Sequence, residues 1–297
     1  MSRFRFRGKS RRPHEERADR VPLRAIVPNL VTSLAACAGI TSIAFASEGR
    51  FLDALWALLI ACVCDGMDGR IARLLKASSK LGAELDSLAD FVNFGVAPAM
   101  YMFFWLSGKT FGAEASAIAD PRVVRVLLGC ALFYAMCDCF RLARFNTMLE
   151  QPAIPYWKHF FTGVPAPGGC WMVLTPAILY QVLEVGNGIL VKGEGAASTQ
   201  AVLHHPVTGM FMLLFVGALM ASRLPTISLK SIKISRPYLP LAMVILLLLI
   251  SCMFINFWLT MGVLGALYIL TVPLTGMIFL KVRAKYERDL TSAANEV

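Results

Sequence analysis

The sequence predicts an all-α protein, a polytopic membrane helix bundle with about eight transmembrane helices. Composition is the first reason, because 57% of the 297 residues are hydrophobic, 16% are charged and the mean hydropathy is +0.62. Such values are typical of integral membrane proteins. The second reason is a series of eight apolar segments, most of them near the roughly 20 residues that a helix needs to cross a bilayer. The third is the concentration of lysine and arginine between alternate segments.

The apolar segments follow one another with short polar breaks. In the third segment, Gly95 and Pro98 predict a kink or a loosening of the packing. We interpret the first six segments as a core and the last two as an addition to it. Segments 107–121 and 185–204 are predicted to be ordinary polar connections. The predicted spans are 26–46, 51–75, 81–106, 123–145, 165–183, 207–221, 239–257 and 259–280.

The basic residues predict the orientation of these spans. With both termini in the cytoplasm, 24 of the 29 lysines and arginines lie on the cytoplasmic side. We therefore expect a protein of the cytoplasmic membrane, and the net charge of +10 indicates contact with anionic lipid rather than with nucleic acid. The predicted organisation is a basic tail (1–25), a transmembrane core (26–222), a cytoplasmic loop with two further spans (223–281) and a cytoplasmic tail (282–297).

Four aspartates interrupt the apolar sequence of the second and third spans. Asp65 and Asp68 are three residues apart and Asp86 and Asp90 are four apart, so each pair shares one face of a helix. The polar segment 76–80 predicts a turn that brings the two helices together antiparallel. Two carboxylates about 4 Å apart repel by roughly 4 kcal/mol at an effective dielectric constant near 20. Four therefore need cations, and Mg²⁺ or Mn²⁺ in a two-metal site for a phosphorus displacement fits best. The alternative is a set of solvated helix ends with nearby ion pairs.

The spacing of these residues resembles the signature of the CDP-alcohol phosphatidyltransferase family. The matching positions are Asp65, Asp68, Gly69, Ala72 and Arg73, then Gly82, Asp86 and Asp90. The resemblance implies that the four aspartates hold two metal ions, that Asp90 is also the general base, and that the protein is a homodimer. Gly69, Ala72, Arg73 and Gly82 are expected at the CDP-lipid, where Arg73 can offer a fork of donors to a phosphate.

Other segments resemble the serine-transferring branch of that family. They are 84–99, 141–146, 161–167 and 222–230, together with a first helix in which Asn29 and Thr32 would line the nucleotide pocket. The resemblance implies transfer of the phosphatidyl group of CDP-diacylglycerol to L-serine, with phosphatidylserine and CMP as products. For Asn29, a helix cap after Pro28 is the alternative.

A serine site needs cations for the substrate carboxylate. The candidates are Arg141, Arg144 and Lys230 at predicted cytoplasmic helix ends, with Asn146 nearby. Each of these cations could instead be an anchor of the positive-inside pattern. Because Asp138 can pair with Arg141 at i,i+3, we expect Arg144 and Lys230 to be the better candidates.

Two other functions are compatible with aspartates inside a membrane. The same chemistry could use another alcohol, namely glycerol 3-phosphate, inositol or choline. A cation transporter is a second possibility, because intramembrane carboxylates also mark ion paths. The polar residues cluster at one leaflet and no inverted repeat is apparent, which counts against transport.

Overall fold

The computed structural model describes residues 26–77, 79–108, 120–148, 160–185, 194–222, 225–227, 236–272 and 275. Within them the chain is almost wholly helical, which confirms the predicted all-α class. The α-helices are α1 (Ile26–Ser47), α2 (Phe51–Leu74), α3 (Lys80–Asp90), α4 (Ala97–Ser107), α5 (Pro121–Met148), α6 (Ala166–Val185), α7 (Glu194–Leu203), α8 (Pro206–Ala221), α9 (Leu239–Ile255) and α10 (Phe257–Val272). A π-helical stretch (Phe91–Val96), a 3₁₀ turn (Arg236–Tyr238) and the short strands β1 (Phe160–Thr162) and β2 (Pro225–Ile227) complete the described elements. The strands pair antiparallel, with Phe161 opposite Thr226.

The helices are compatible with a polytopic membrane protein. By length and composition α1, α5 and α6 can each cross a bilayer, and α8, α9 and α10 are shorter apolar helices. The predicted number of eight spans stays a prediction. Both predicted tails lie outside the described residues.

One of the predicted connections is partly wrong. Segment 185–204 contains α7, which packs against α6 and α8. Its ten residues include three alanines, one glutamate and one glutamine, which are good helix formers, but it lacks the long apolar stripe on which the prediction relied. At its end, the His204 ring lies edge-on to Trp105 with Nε2 3.0 Å from the Trp105 carbonyl oxygen.

Small side chains line the buried face of α1, which packs against α2 and the π-helical stretch. Pro28, Thr32, Ala35, Gly39, Ser42 and Ala46 recur every three or four residues on the buried face of α1. This spacing allows two backbones to approach closely in a membrane protein. Ser42 Oγ donates to the carbonyl oxygen of Ala54 on α2 at 2.9 Å. The close pairing sets the position of the first two walls of the candidate site.

The third predicted span is continuous but irregular. The π-helical stretch lies between α3 and α4, where Gly95 and Pro98 predicted a departure from regular packing. Pro98 has no N–H for the carbonyl of Phe94 four residues earlier. Instead, the buried Tyr134 hydroxyl donates to the Phe94 carbonyl oxygen at 2.9 Å. The stretch is thereby tied to α5 just beyond Asp90.

Candidate active site

Three of the four signature aspartates converge on one point. Asp65 and Asp68 lie on α2 and Asp86 lies on α3. Each offers one carboxylate oxygen, and these three atoms all lie within 4.8 Å of one another. Helical spacing explains the first pair, and the return of α3 beside α2 adds the third.

The turn between α2 and α3 is built from standard helix-ending and helix-starting contacts. Lys76 adopts a left-handed conformation with φ of 50°, and the Ala77 N–H donates to the Ala72 carbonyl at 2.9 Å. This is the arrangement of a Schellman-type C-cap. Ser79 then caps α3, because its Oγ accepts from the Gly82 N–H at 3.0 Å. Tight capping on both sides fixes the position of Asp86 relative to α2.

Asp68 is the most deeply buried member of the cluster, with 4% of its surface exposed. The hydroxyl of Thr32 donates to its Oδ2 at 2.5 Å, and the Gly69 N–H donates to its Oδ1 at 2.5 Å. Two donors fix the carboxylate from opposite sides, and Thr32 links it to α1. Thr32 thus orients the Asp68 carboxylate, and it also lines the cleft described below.

The donor set fits a hard divalent cation. Three carboxylate oxygens at this separation are the kind of ligand that Mg²⁺ and Mn²⁺ accept. Asp65 Oδ1 is buried and has no hydrogen-bond partner within the described residues. A buried oxygen without a donor is costly unless something else compensates its charge. The residues therefore fit the predicted metal, while its identity and the number of ions stay predictions.

Asp90 lies beside this trio rather than within it. Its carboxyl group is within hydrogen-bonding reach of that of Asp65, one turn beyond Asp86 on α3. It is not among the three oxygens that converge within 4.8 Å. Its predicted roles as a fourth metal ligand and as the general base remain predictions.

An open cleft of about 520 Å³ runs from the aspartates between α1, α2 and α3. Five of the six predicted CDP-lipid residues line it: Asn29, Thr32, Gly69, Ala72 and Gly82. The sixth, Arg73, is exposed and is not part of this lining. The cleft is also lined by Ala77, Ser79 and Ala83, which were not predicted from the sequence. The N-cap pattern of Ser79 was the signal that could have placed it there.

Two glycines in the cleft have different roles. At Gly82 a Cβ atom would lie 2.9 Å from Asn29 Oδ1, so a side chain there would require the Asn29 side chain to move. At Gly69 a Cβ atom would meet nothing within 4 Å. Packing within the described residues does not require a glycine at 69, and its predicted role at the CDP-lipid stays a prediction. Asn29 lies inside α1, which begins at Ile26, so the alternative of a helix cap is wrong.

The predicted serine-site cations have different surroundings. Arg141 Nη1 lies 3.5 Å from Asp138 Oδ1, the i,i+3 pair that the sequence suggested, and Arg141 also interacts electrostatically with Asp90. Arg144 instead donates to the last carbonyls of α8, at 2.9 Å to Ala221 and 3.0 Å to Ser222. Those carbonyls carry the negative end of the helix dipole.

These contacts change the expected order of the candidates. Arg141 is close enough to Asp90 for an electrostatic interaction, whereas Arg144 caps a helix end, which no local sequence pattern could reveal. Asn146 Nδ2 donates to Ser87 Oγ at 3.0 Å, so it contacts α3 between Asp86 and Asp90. Lys230 lies outside the described residues.

Comparison with known proteins supports the signature. Three relatives are named CDP-diacylglycerol–serine O-phosphatidyltransferase. The protein of Mycobacterium leprae is 42% identical over 178 residues, covering 60% of this chain and 53% of the relative. That of Mycobacterium tuberculosis strain H37Rv is 38% identical over 169 residues, 57% of this chain and 54% of the relative. That of Helicobacter pylori strain J99 is 36% identical over 165 residues, 54% of this chain and 62% of the relative.

The match with the mycobacterial relatives spans about half of their length. The model of one family, CDP-alcohol phosphatidyltransferase, matches residues 25–214, which include the cleft, all four aspartates and the cations of α5. This match covers well over half of the sequence, and several helices are apolar and long enough to cross a membrane. The chain is therefore an integral membrane protein that belongs to the CDP-alcohol phosphatidyltransferase family.

Proposed function

We propose that this protein transfers the phosphatidyl group of CDP-diacylglycerol to the hydroxyl group of L-serine, giving phosphatidylserine and CMP. The convergence of Asp65, Asp68 and Asp86 at the end of a cleft lined by the signature residues carries the proposal. The printed names of the three relatives support serine as the acceptor.

The cleft supplies the binding of the CDP group. Besides Asp68 and Asp86, its polar lining consists of Asn29, Thr32 and Ser79, and the small residues include Gly69 and Ala72. The three clustered carboxylates would hold the divalent metal. When bound there, such a metal neutralises a pyrophosphate and polarises the phosphorus that is attacked. Arg73, exposed on the last turn of α2, is the proposed donor to a phosphate at the mouth of the cleft.

Asp90 is the proposed general base. The serine hydroxyl oxygen forms a bond to the lipid-linked phosphorus, and the bond from that phosphorus to the oxygen of CMP breaks. The hydroxyl proton goes to Asp90, whose carboxylate stands next to the cluster. CMP leaves with the electrons of the broken bond.

The acceptor side is proposed to lie around Arg141. Its guanidinium lies near Asp90, so a serine whose hydroxyl faces Asp90 can direct its carboxylate to Arg141. Lys230 and Asn146 remain candidates, and Arg144 is the least favoured because of its contacts with α8. We further propose that the site faces the cytoplasm, as the distribution of basic residues predicts, and that the protein is a homodimer.

The test is the release of CMP from CDP-diacylglycerol by purified protein with a divalent metal. Serine, glycerol 3-phosphate, inositol and choline are supplied one at a time, and the lipid product is identified by mass spectrometry. We expect serine to give the highest kcat/KM and phosphatidylserine as the product. Preference for another alcohol would refute the serine assignment, and no CMP release with any alcohol would refute phosphatidyl transfer and reopen the transport hypothesis.

A further inference from the structure

Beside the candidate site, α5 carries a completely buried carboxylate that the proposed chemistry does not use. Asp138 has no exposed surface, and both of its carboxylate oxygens lack a hydrogen bond within the described residues. An isolated carboxylate in such surroundings is costly. Its compensation comes from Arg141 one turn later on the same helix, at 3.5 Å.

The pair is arranged asymmetrically. The Arg141 side chain is 14% exposed, and its Nη1, like the Asp138 oxygens, forms no hydrogen bond within the described residues. A separation of 3.5 Å allows strong attraction but is too long for a good N–H···O bond. The guanidinium has five N–H donors, so most of them remain available to another acceptor. The next carboxylate that interacts with Arg141 is Asp90.

The neighbouring backbone leaves room for Asp138. Gly95, in the π-helical stretch, faces it so closely that a Cβ atom there would lie 2.9 Å from Asp138 Oδ2. The nearby Tyr134 hydroxyl does not serve Asp138, because it donates to the Phe94 carbonyl. Asp138 on α5 therefore packs against the π-helical stretch, with Arg141 as its counter-ion.

We propose that Asp138 is a positioning residue that holds the guanidinium of Arg141 beside Asp90, on the acceptor side of the site, and that Gly95 provides the space for it. The consequence is a cation presented to the incoming alcohol substrate at the point where its hydroxyl meets the base. This inference rests on the proposed phosphatidyl transfer, and it gives Arg141 a fixed place in the acceptor site.

The test uses the full-length protein in detergent with CDP-diacylglycerol and Mn²⁺. Asp138→Asn keeps the shape of the side chain and removes its charge. We expect the KM for serine to rise by about tenfold or more, because a loosely held cation binds a carboxylate less well. The KM for CDP-diacylglycerol and the melting temperature should stay near the wild-type values. Gly95→Ala should shift the KM for serine in the same direction, and it keeps the inference testable if Asp138→Asn does not fold.

A double-mutant cycle separates positioning from a structural role. If Asp138 acts through Arg141, Asp138→Asn should have little further effect on the KM for serine in an Arg141→Lys background. The control is Asp53→Asn, which also removes a paired helical carboxylate, 2.8 Å from Arg50 and far along α2 from the cluster. It should leave both KM values unchanged.

Three results would overturn the inference: additive effects in the cycle, an unchanged KM for serine, or a parallel loss of stability and of both substrate affinities. Failure of the proposed function is seen separately, in the wild type. If the wild type prefers another alcohol, the serine assignment fails, and the same cycle is then measured with the KM for that alcohol.

Discussion

The contact between Thr32 and Asp68 gives a quantitative prediction for the candidate metal site. Thr32→Val keeps the shape of the side chain and removes the hydroxyl that donates to Asp68 Oδ2 at 2.5 Å. Thr32 is 3% exposed, so water cannot readily replace this donor. A hydrogen bond to a charged group is worth about 1.5–3 kcal/mol, which corresponds to roughly 10- to 150-fold in an equilibrium constant. Losses of about 10- to 100-fold in metal affinity are usual when such a supporting contact is removed.

Mn²⁺ affinity is the quantity to measure. It is determined by electron paramagnetic resonance without CDP-lipid, so that a direct effect of Thr32 on lipid binding does not interfere. The Mn²⁺ concentration for half-maximal activity is measured in parallel. Thr41→Val is the matched control, because Thr41 lies on the same helix and its hydroxyl donates to the backbone carbonyl of Cys37, at 2.8 Å, rather than to a carboxylate. Equal Mn²⁺ affinity in Thr32→Val and wild type would refute the view that Thr32 orients a metal ligand.

Chelation by EDTA should abolish CMP release and Mn²⁺ or Mg²⁺ should restore it, whereas full activity in chelated protein would contradict a metal site. Asp90→Asn should lower kcat by about 100-fold or more with both KM values near normal, as single-turnover kinetics would show. Arg73→Lys should raise the KM for CDP-diacylglycerol, because lysine lacks the planar fork, and unchanged kinetics would make Arg73 a topology anchor. Gly39→Ala should destabilise the fold by about 1–3 kcal/mol, since its Cβ would collide with Asn93. Gly69→Ala should instead leave the melting temperature unchanged and raise the KM for CDP-diacylglycerol.

Features that depend on nearby residues could be predicted from the sequence. The ends of α1 and α2 follow from apolar runs interrupted by polar breaks, and their observed bounds, Ile26–Ser47 and Phe51–Leu74, agree closely with the predicted spans. The spacing of Asp65 and Asp68 likewise gave their common face. The i,i+3 pair of Asp138 and Arg141 was predictable for the same reason.

Features that depend on distant parts of the chain could not be predicted in this way. Arg144 finds its acceptors at Ala221 and Ser222, more than 70 positions later, so its sequence neighbourhood gives no sign of them. Tyr134 reaches the Phe94 carbonyl across the bundle. The burial of Asp138 depends on the shape of the π-helical stretch at Gly95, and apolar periodicity does not encode that shape.

The cleft has a consequence for how the protein is made. All of its lining residues fall between Pro28 and Asp86, in α1, α2, the following turn and the start of α3. The small residues on α1 allow the first two helices to pair as soon as both are in the bilayer. Contacts between segments close in the chain form at low entropic cost, and earlier parts of a chain emerge first during synthesis. The cleft can therefore assemble before the ribosome has completed α5, which carries Arg141 and Asp138. A truncated chain ending after α4 would be expected to retain binding of a CDP-bearing ligand while lacking transfer to an alcohol.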